Sequence, residues 1–470
     1  MTEAARARLT EGPVGRHLTD MTVPVLFGIT TMMAQSLIDT WFIGQVGDAE
    51  LAAFGFGFPI LMIMTSVAIG LGAGTSSVVA RAIGAADHRR AKRLATDSLL
   101  LSFLITAVIA TLGVLTIDPL FRLMGAPEEL MPLIRGFMTI LYAGVPFVVV
   151  GMVGMASMRA TGDTRLPSAL MIAAAVLNVI LDPILIFGIG PVPAMGLNGA
   201  AMAALLARGA IFVGTLYFLK TRLDMVSFRR PDPVELGKSW RDILHVGIPA
   251  AGTNIVVPVG AAFVTAMIAR FGPDAVAGFG VASRIESMML VMFYALSAII
   301  GPFVGQNLSA GREDRILRAL RLCTLFCVGS GLLIAAALAG LSGFLPTLFS
   351  DSDSVNQVTT LFLWLAPISY GTYGMVMVMC ASFNGIGKPM PAVYISVGRI
   401  AVLYVPLALV GMPLFGIAGI FAAYAIANIV SGIVAYQWAR VAVQRVQRQT
   451  PEPAAAVNPS PPGDTVRTRR

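Results

Sequence analysis

Residues 24–46 read PVLFGITTMMAQSLIDTWFIGQV, an apolar run in which Asp39 is the only ionisable side chain. About 20 such residues in an α-helix cross the roughly 30 Å of hydrocarbon in a bilayer. Runs of this kind recur as far as Trp438, with short polar breaks between them. Dividing that span by the length of a helix and a loop predicts about twelve membrane crossings.

The composition indicates that a bilayer, rather than water, is the main solvent of this chain. Of its 470 residues, 56% are hydrophobic and 12% are charged, with a mean hydropathy of +0.80, whereas about 25% of a typical soluble domain is charged. We therefore predict an all-α integral membrane protein that contacts the lipid bilayer. Because the net charge of +8 is spread over alternate loops, we expect no nucleic-acid partner.

Lysine and arginine are concentrated in every second predicted loop, and the other loops contain essentially Arg122, Arg135 and Arg270. Because basic loops stay in the cytoplasm, this asymmetry predicts a multi-pass protein of the cell (inner) membrane with an even number of crossings and both termini cytoplasmic. The basic loops and tails include Arg81, Arg89, Arg90, Lys92, Arg93, Arg159, Arg165, Lys220, Arg222, Arg229, Arg230, Lys238, Arg241, Arg312, Arg315, Arg318, Arg321, Lys388, Arg440, Arg445 and Arg448.

The sequence repeats itself at an offset of about 225 residues. Pro24 aligns with Pro249, and the segment AAFGFG (52–57) aligns with AGFGVA (277–282). Six crossings return a chain to the side from which it started, so the two halves should have parallel topology around an axis along the membrane normal. This predicts two pseudo-symmetric six-helix lobes, an arrangement in which a central site faces either side as the lobes rock.

The repeat and the loops together predict the division of the chain. We expect a cytoplasmic segment over residues 1–20, an amino-terminal lobe over 21–219, a cytoplasmic linker over 220–243, a carboxyl-terminal lobe over 244–440 and a disordered cytoplasmic tail over 441–470.

Five segments taken together resemble the multidrug and toxic compound extrusion (MATE) family, closest to the branch that includes DNA-damage-inducible protein F. The resemblance implies a V-shaped pair of six-helix lobes and a monomer. It also implies export of amphipathic, often cationic, drugs or metabolites against a proton or sodium gradient. The segments are SLIDTWFIGQVG (36–47), VARAIGAADHRRA (79–91), MRATGDTRLP (158–167), LNVILDPILIFG (177–188) and GPFVGQNLSAGR (301–312).

Other transporter classes fit less well. The basic loop GAADHRRAKR superficially matches the major facilitator superfamily, but Asp87 is followed by His88 and the loop has no later glycine. A flippase or exporter of a lipid-linked precursor or endogenous metabolite from the same superfamily remains the alternative. Such flippases usually have about fourteen helices, so the number of crossings separates them from this prediction.

An enzyme is not expected. The three histidines, His17, His88 and His245, are widely separated near predicted helix ends, and no phosphate-binding loop or nucleophile motif is present. Without a nucleotide-binding domain, the energy for transport has to come from an ion gradient or from the gradient of the substrate. We expect no cofactor.

Few ionisable side chains lie in the predicted membrane segments. Each costs at least about 2.5 to 3.5 kcal/mol to insert, so each is a candidate for function. The acids are Asp39, Asp182 and Glu286, and the bases are Arg208, Arg284 and Arg399.

Two polar stripes contain the first two acids. On the first helix, expected from about Met21 to Gly44, Thr31, Gln35 and Asp39 recur every four residues; Asn178 and Asp182 have the same spacing on the fifth. Both acids should lie within about one helical turn of the same depth. A desolvated carboxylate beside a second one holds its proton more firmly than in water, which suits a proton-operated switch.

The second half has no equivalent acids, since Asp39 aligns with Val264, and Asp182 aligns with Leu407 or Pro406. This asymmetry indicates that Asp39 and Asp182 serve the function of the protein rather than its fold. A hydrogen-bonded structural aspartate is the alternative for each.

The resemblance implies that Asp39, Asn178 and Asp182 form an ion site in the amino-terminal lobe, which Gln35 would join through its place in the stripe. The coupling ion is H⁺ or Na⁺. Sodium prefers several oxygen ligands, whereas the threonine often seen in this family near Ala204 is absent. The sequence therefore favours protons, and sodium at the three residues stays open.

The candidates for substrate contact are Thr31, Glu286, Arg284 and Met289. A structural ion pair is an equal alternative for Glu286. Cys323 and Cys327 share a helix face, which suits either a soft metal or apolar packing; packing is favoured because no third ligand is near.

Overall fold

The computed structural model describes residues 7–227 and 232–449 of the chain, and in these residues every regular element is a helix. Twelve helices in this part of the chain are long and apolar enough to cross a membrane. The prediction of an all-α membrane protein with twelve crossings is therefore confirmed.

The first six crossings and one short helix form the amino-terminal half. Asp87 begins the third helix by accepting a hydrogen bond from the backbone N–H of Arg90 at 2.9 Å. The helices of this half are α1 (Val14–Val46), α2 (Asp48–Gly84), α3 (His88–Leu115), α4 (Ile117–Leu123), α5 (Met131–Ala160), α6 (Arg165–Phe187) and α7 (Leu197–Thr221).

Several crossings of the second half are built from more than one helix. Leu290 separates α9 from α10, a 3-10 turn at Pro367–Ser369 joins α12 to α13, and a π-helix at Gly398–Tyr404 joins α14 to α15. The helices are α8 (Pro233–Ile268), α9 (Pro273–Met289), α10 (Val291–Ser309), α11 (Glu313–Leu341), α12 (Asp353–Leu365), α13 (Tyr370–Ile386), α14 (Met390–Val397), α15 (Val405–Phe415) and α16 (Ile417–Gln449).

Some helix ends differ from the expectation. Helix α1 begins at Val14 rather than near Met21, and α8 begins at Pro233, inside the expected linker. Both extensions are polar or basic first turns that continue a helix beyond the apolar stretch, which hydropathy alone does not detect. Helix α16 continues to Gln449, into the expected tail. The remaining expectations for residues 1–6, 228–231 and 450–470 lie outside the described residues.

The core consists mainly of two clusters, one for each half, and the helices α1 and α8 contribute residues to both. Val14, Leu18 and Met21 at the start of α1 pack in the cluster of the second half. Ile243 near the start of α8 packs in the cluster of the first half. Both helices therefore tie the lobes together at the ends from which they begin.

The lobes touch at the face on which α1 begins, which also carries the α2–α3, α5–α6 and α10–α11 loops; we name it the basic face. Ser77 donates a hydrogen bond across the lobes to the carbonyl of Asn384 at 2.5 Å. A Cβ atom at Gly84 would collide with the carbonyl oxygen of Gln306, so only glycine permits this approach. Towards the other face, Phe58 and Met62 of α2 are exposed.

Candidate functional site

The structure brings the four predicted ion-site residues together between α1 and α6, which pack against each other. Gln35 and Asp39 lie one turn apart on α1, and Asn178 and Asp182 lie one turn apart on α6. The two stripes therefore face each other, as the four-residue spacing requires. Asn178 and Asp182 are almost fully buried, with 1% and 0% exposure, and Asp39 is half-buried.

A chain of hydrogen bonds links the two carboxyl groups. The amide of Gln35 donates to Asp39 Oδ2 at 3.2 Å and also to Asn178 Oδ1. The amide of Asn178 in turn donates to Asp182 Oδ1 at 3.3 Å. The two amides thus join α1 to α6 and fix one oxygen of each carboxyl group.

The other carboxyl oxygens, Asp39 Oδ1 and Asp182 Oδ2, are buried without a hydrogen-bond partner. The two side chains are close enough to interact electrostatically, and no hydrogen bond joins them among the described residues; two ionised carboxylates can make none because neither has a donor. One proton held between the two groups would satisfy both oxygens.

A positive charge lies near this pair. Arg208 of α7 is close enough to Asp39 for an electrostatic interaction, yet the described residues show no salt bridge between them within 4 Å. The sequence gave no reason to place Arg208 beside the acids, because only packing of α6 against α7 sets its position.

Thr31 does not join the network of Gln35. Its hydroxyl donates to the backbone carbonyl of Phe27 at 2.8 Å, the bond that a threonine within a helix commonly makes to its own preceding turn. Its proposed contact with substrate stays a prediction.

The carboxyl-terminal lobe contains a second polar cluster around Glu286 of α9. Tyr424 of α16 donates its hydroxyl to Glu286 Oε1 at 2.5 Å. Arg399, on the π-helix, donates to Asn428 Oδ1 at 2.9 Å and lies 4.5 Å from the ring centre of Tyr373. The arginine is 5% exposed, and its charge is compensated by an amide, an aromatic face and the nearby carboxylate.

Two other candidates lie apart from Glu286. Arg284 is exposed on another side of α9, as its two-residue spacing from Glu286 requires. Met289, at the end of α9, packs partly buried against the core of the second half. The structure therefore gathers the ion-site candidates but not the candidates for substrate contact.

Sequence reasoning missed Tyr424 and Asn428, which hold Glu286 and Arg399. A tyrosine and an asparagine on an apolar helix, four residues apart, were the available signal. Cys323 and Cys327 are buried in the core of the second half, and no group of three metal-ligating side chains occurs in residues 7–227 and 232–449.

Comparison with known proteins agrees with this architecture. The MatE family model matches residues 24–184 and residues 249–410, once in each half. The chain is 38% identical to the FAD transporter of Shewanella oneidensis over 445 residues, which cover 95% of this chain and 98% of the relative. It is 25% identical to a probable multidrug resistance protein of Bacillus subtilis over 84% of this chain and 87% of the relative.

A solved structure is also similar. The MATE transporter VcmN of Vibrio cholerae, in its bent form, superposes with a TM-score of 0.88 at 32% sequence identity, covering 92% of this chain and 98% of that one. The V-shaped arrangement of two six-helix lobes expected from the sequence is thereby confirmed.

Proposed function

Because this chain belongs to the MATE family of membrane transporters, we propose that it exports small amphipathic molecules in exchange for protons. The observation that carries this proposal is the pair Asp39 and Asp182, each with one buried and unpartnered carboxyl oxygen. A proton supplies the missing donor without requiring additional space. Binding and release of one positive charge at this pair is what an antiporter needs.

The hydrogen-bond chain gives that proton a mechanical consequence. When both carboxylates are ionised, they repel each other across the contact between α1 and α6, and a cationic substrate between the two lobes is attracted. When one proton is shared by the pair, one of the two negative charges is removed, so the attraction for a cation weakens and the repulsion between the helices is relieved. The proton therefore favours the state that has released its cargo, which is the requirement for antiport.

The number of available oxygen ligands supports protons over sodium. Sodium requires several oxygen ligands, and Asp39 and Asp182 offer one unpartnered oxygen each.

The basic face is proposed to be cytoplasmic, because the lysine and arginine residues of the loops gather there. The contacts between the lobes at that face then correspond to a state closed to the cytoplasm. We propose a monomer as the unit of transport, since each lobe has its own core and both lobes belong to one chain.

The similarity to an FAD transporter over nearly the whole chain favours a second candidate for the cargo. In that case the protein exports an endogenous, anionic and aromatic dinucleotide rather than cationic drugs. The site at Asp39 keeps its role as a proton carrier, while Arg208 becomes the attractive group for the cargo.

Transport into everted membrane vesicles tests these proposals. A pH gradient and a sodium gradient are imposed separately, with ethidium, a norfloxacin-like drug and FAD as cargoes in separate reactions. We expect a pH gradient alone to drive uptake of at least one cargo. Uptake of FAD without uptake of either drug would select the second candidate, and a response to neither gradient with any cargo would refute antiport.

A further inference from the structure

The residues before α1 form an ordered segment across the basic face. Residues 7–13, which we name the amino-terminal strap, contain a 3-10 turn at Arg8–Thr10 and lead directly into α1. Leu9 at its centre is 2% exposed. A residue of a short, mainly polar segment has this degree of burial only when other parts of the molecule pack around it.

The second lobe binds the backbone of the strap. Arg315 of α11 donates to the carbonyl oxygens of Leu9, Glu11 and Gly12 at 3.0, 3.1 and 2.7 Å. Asn307 of α10 accepts from Arg315 Nε at 2.9 Å and donates to the carbonyl of Leu9 at 3.1 Å. The strap therefore occupies a site on α10 and α11 that binds its backbone carbonyl groups.

This site is buried and depends on the strap. Arg315 is 7% exposed and Asn307 is fully buried. The described residues form no salt bridge to Arg315 within 4 Å, so backbone carbonyls are the main acceptors for its guanidinium. Removing them would leave a buried charge with unmet donors, which is among the costliest changes in a protein.

The strap is joined to the first lobe by fewer contacts, and one of them runs through Gln306 of the second lobe. Gln306 of α10 accepts from the backbone N–H of Leu9 at 3.2 Å and donates to the carbonyl of Ala160, at the end of α5, at 2.7 Å. The side chain of Leu9 also packs against Gly162 in the α5–α6 loop. These few contacts join the strap and α10 to the first lobe.

Ala7 also packs against the core of the first half, and beside it a cavity of about 1280 Å³ lies between the strap and the first lobe. Its walls are residues of the strap, the first turns of α1, the α5–α6 loop and neighbouring residues of the first half and its linker. The strap is thus bound tightly to the second lobe and loosely to the first. If the lobes separate at the basic face, the strap stays with the second lobe, and the contacts at Ala160 and Gly162 break.

We propose that the strap is the latch of the basic face: held by Arg315 and Asn307, it presents Leu9 and Gln306 to the first lobe and keeps the two lobes closed there. Opening of this face requires the Leu9–Gly162 and Gln306–Ala160 contacts to break in every cycle. The latch itself is argued from contacts alone, whereas its use in each transport cycle rests on the proposed function.

Distance measurements between spin labels test the latch without cargo or ion gradient. Labels are placed on the exposed residues Arg89 of α3 and Arg318 of α11, as Arg89→Cys and Arg318→Cys, after replacing the three native cysteines by alanine. The full chain is reconstituted in lipid nanodiscs. We expect one short, narrow distance distribution, because the basic face is closed.

Two variants remove the latch. Arg315→Ala deletes its anchor, and a chain lacking residues 1–12 deletes the strap but keeps all twelve crossings. We expect both to raise the population at long distances roughly tenfold or more, the effect of losing a hydrogen bond to a buried charge. Arg312→Ala, an exposed neighbour that pairs with Asp314, is the control and should leave the distribution unchanged.

The latch is refuted if the truncated chain keeps the wild-type distribution while eluting as a single folded species. Should Arg315→Ala fail to fold, the truncated chain alone decides. Adding Asp39→Asn to the truncated chain separates this result from ion coupling, because the distance change should persist when that carboxylate is gone. Its disappearance would show that the strap has no effect of its own on closure.

Discussion

The two lobes share one repeated sequence, yet they carry their membrane-buried charged side chains at different places. In the first lobe, Asp39 and Asp182 face each other with an unpartnered oxygen each. In the second lobe the matching residues are Val264 for Asp39, and Leu407 or Pro406 for Asp182. Since the second lobe folds without acids at these places, the fold does not require them. The pair in the first lobe is therefore better explained by function than by stability.

The second lobe has its own charges at places where the first has none. Glu286 and Arg399 match Leu61 and Ala174. Each has a fixed partner, Tyr424 for the acid and Asn428 for the base, and the two charges offset each other. Within the described residues Arg399 Nε has no hydrogen-bond partner, but the acid and the base of this lobe are close enough to interact. The acids of the first lobe keep unpartnered oxygens, which are what the proposed proton would satisfy.

The largest effect should come from removing the acid of α1. Asp39→Asn keeps the size of the side chain but cannot exchange a proton, so we expect uptake driven by a pH gradient to fall to the level of vesicles without the protein. Val264→Thr, at the matching place in the second lobe, should retain wild-type uptake. Equal loss in both variants would show that this depth of the membrane tolerates no change in either lobe.

A double variant shows whether the acids share one proton. If Asp39 and Asp182 act as a unit, Asp182→Asn should also abolish uptake driven by the pH gradient, and combining it with Asp39→Asn should cost nothing more. Two independent proton sites predict that each single variant keeps part of the activity and that the losses multiply. Initial rates over a series of pH gradients distinguish these outcomes.

A smaller effect is expected within the stripe of α1. Gln35→Leu removes the amide that joins Asp39 to Asn178, so we expect slower uptake and a shifted dependence on pH, with transport retained. Thr31→Ala is the matched control one turn away, because its hydroxyl bonds only to its own helix among the described residues. A loss with Thr31→Ala at unchanged pH dependence would instead support its predicted contact with substrate.

The meeting of the four proposed ion-site residues was predictable because their signal is local. An acid in an apolar run is costly, and the four-residue spacing places Gln35 beside Asp39 and Asn178 beside Asp182 on their helices. The twelve crossings follow likewise from hydropathy, and the repeat follows from aligning the sequence with itself. None of these inferences needed the distance between two helices.

The contacts that depend on packing between distant parts of the chain were not predictable. The motif GPFVGQNLSAGR contains Gln306 and Asn307, and it contributed only to the family resemblance. Arg315 counted as one more basic loop residue, although it is buried against a strap about 300 residues away. Its charge was visible in the sequence, but its burial follows from the folded arrangement alone.

The smallest effect on transport should come from the second lobe. Tyr424→Phe deletes the hydroxyl that bonds to Glu286 and leaves the ring contacts of this helix in place. We expect the midpoint of thermal unfolding in detergent to fall, because a buried carboxylate loses a donor. The control Tyr394→Phe changes an exposed tyrosine and should not alter the midpoint. If the charges of this lobe are fixed, the pH dependence of uptake stays that of the wild type; a shift would give Glu286 a place in coupling and end the contrast between the lobes.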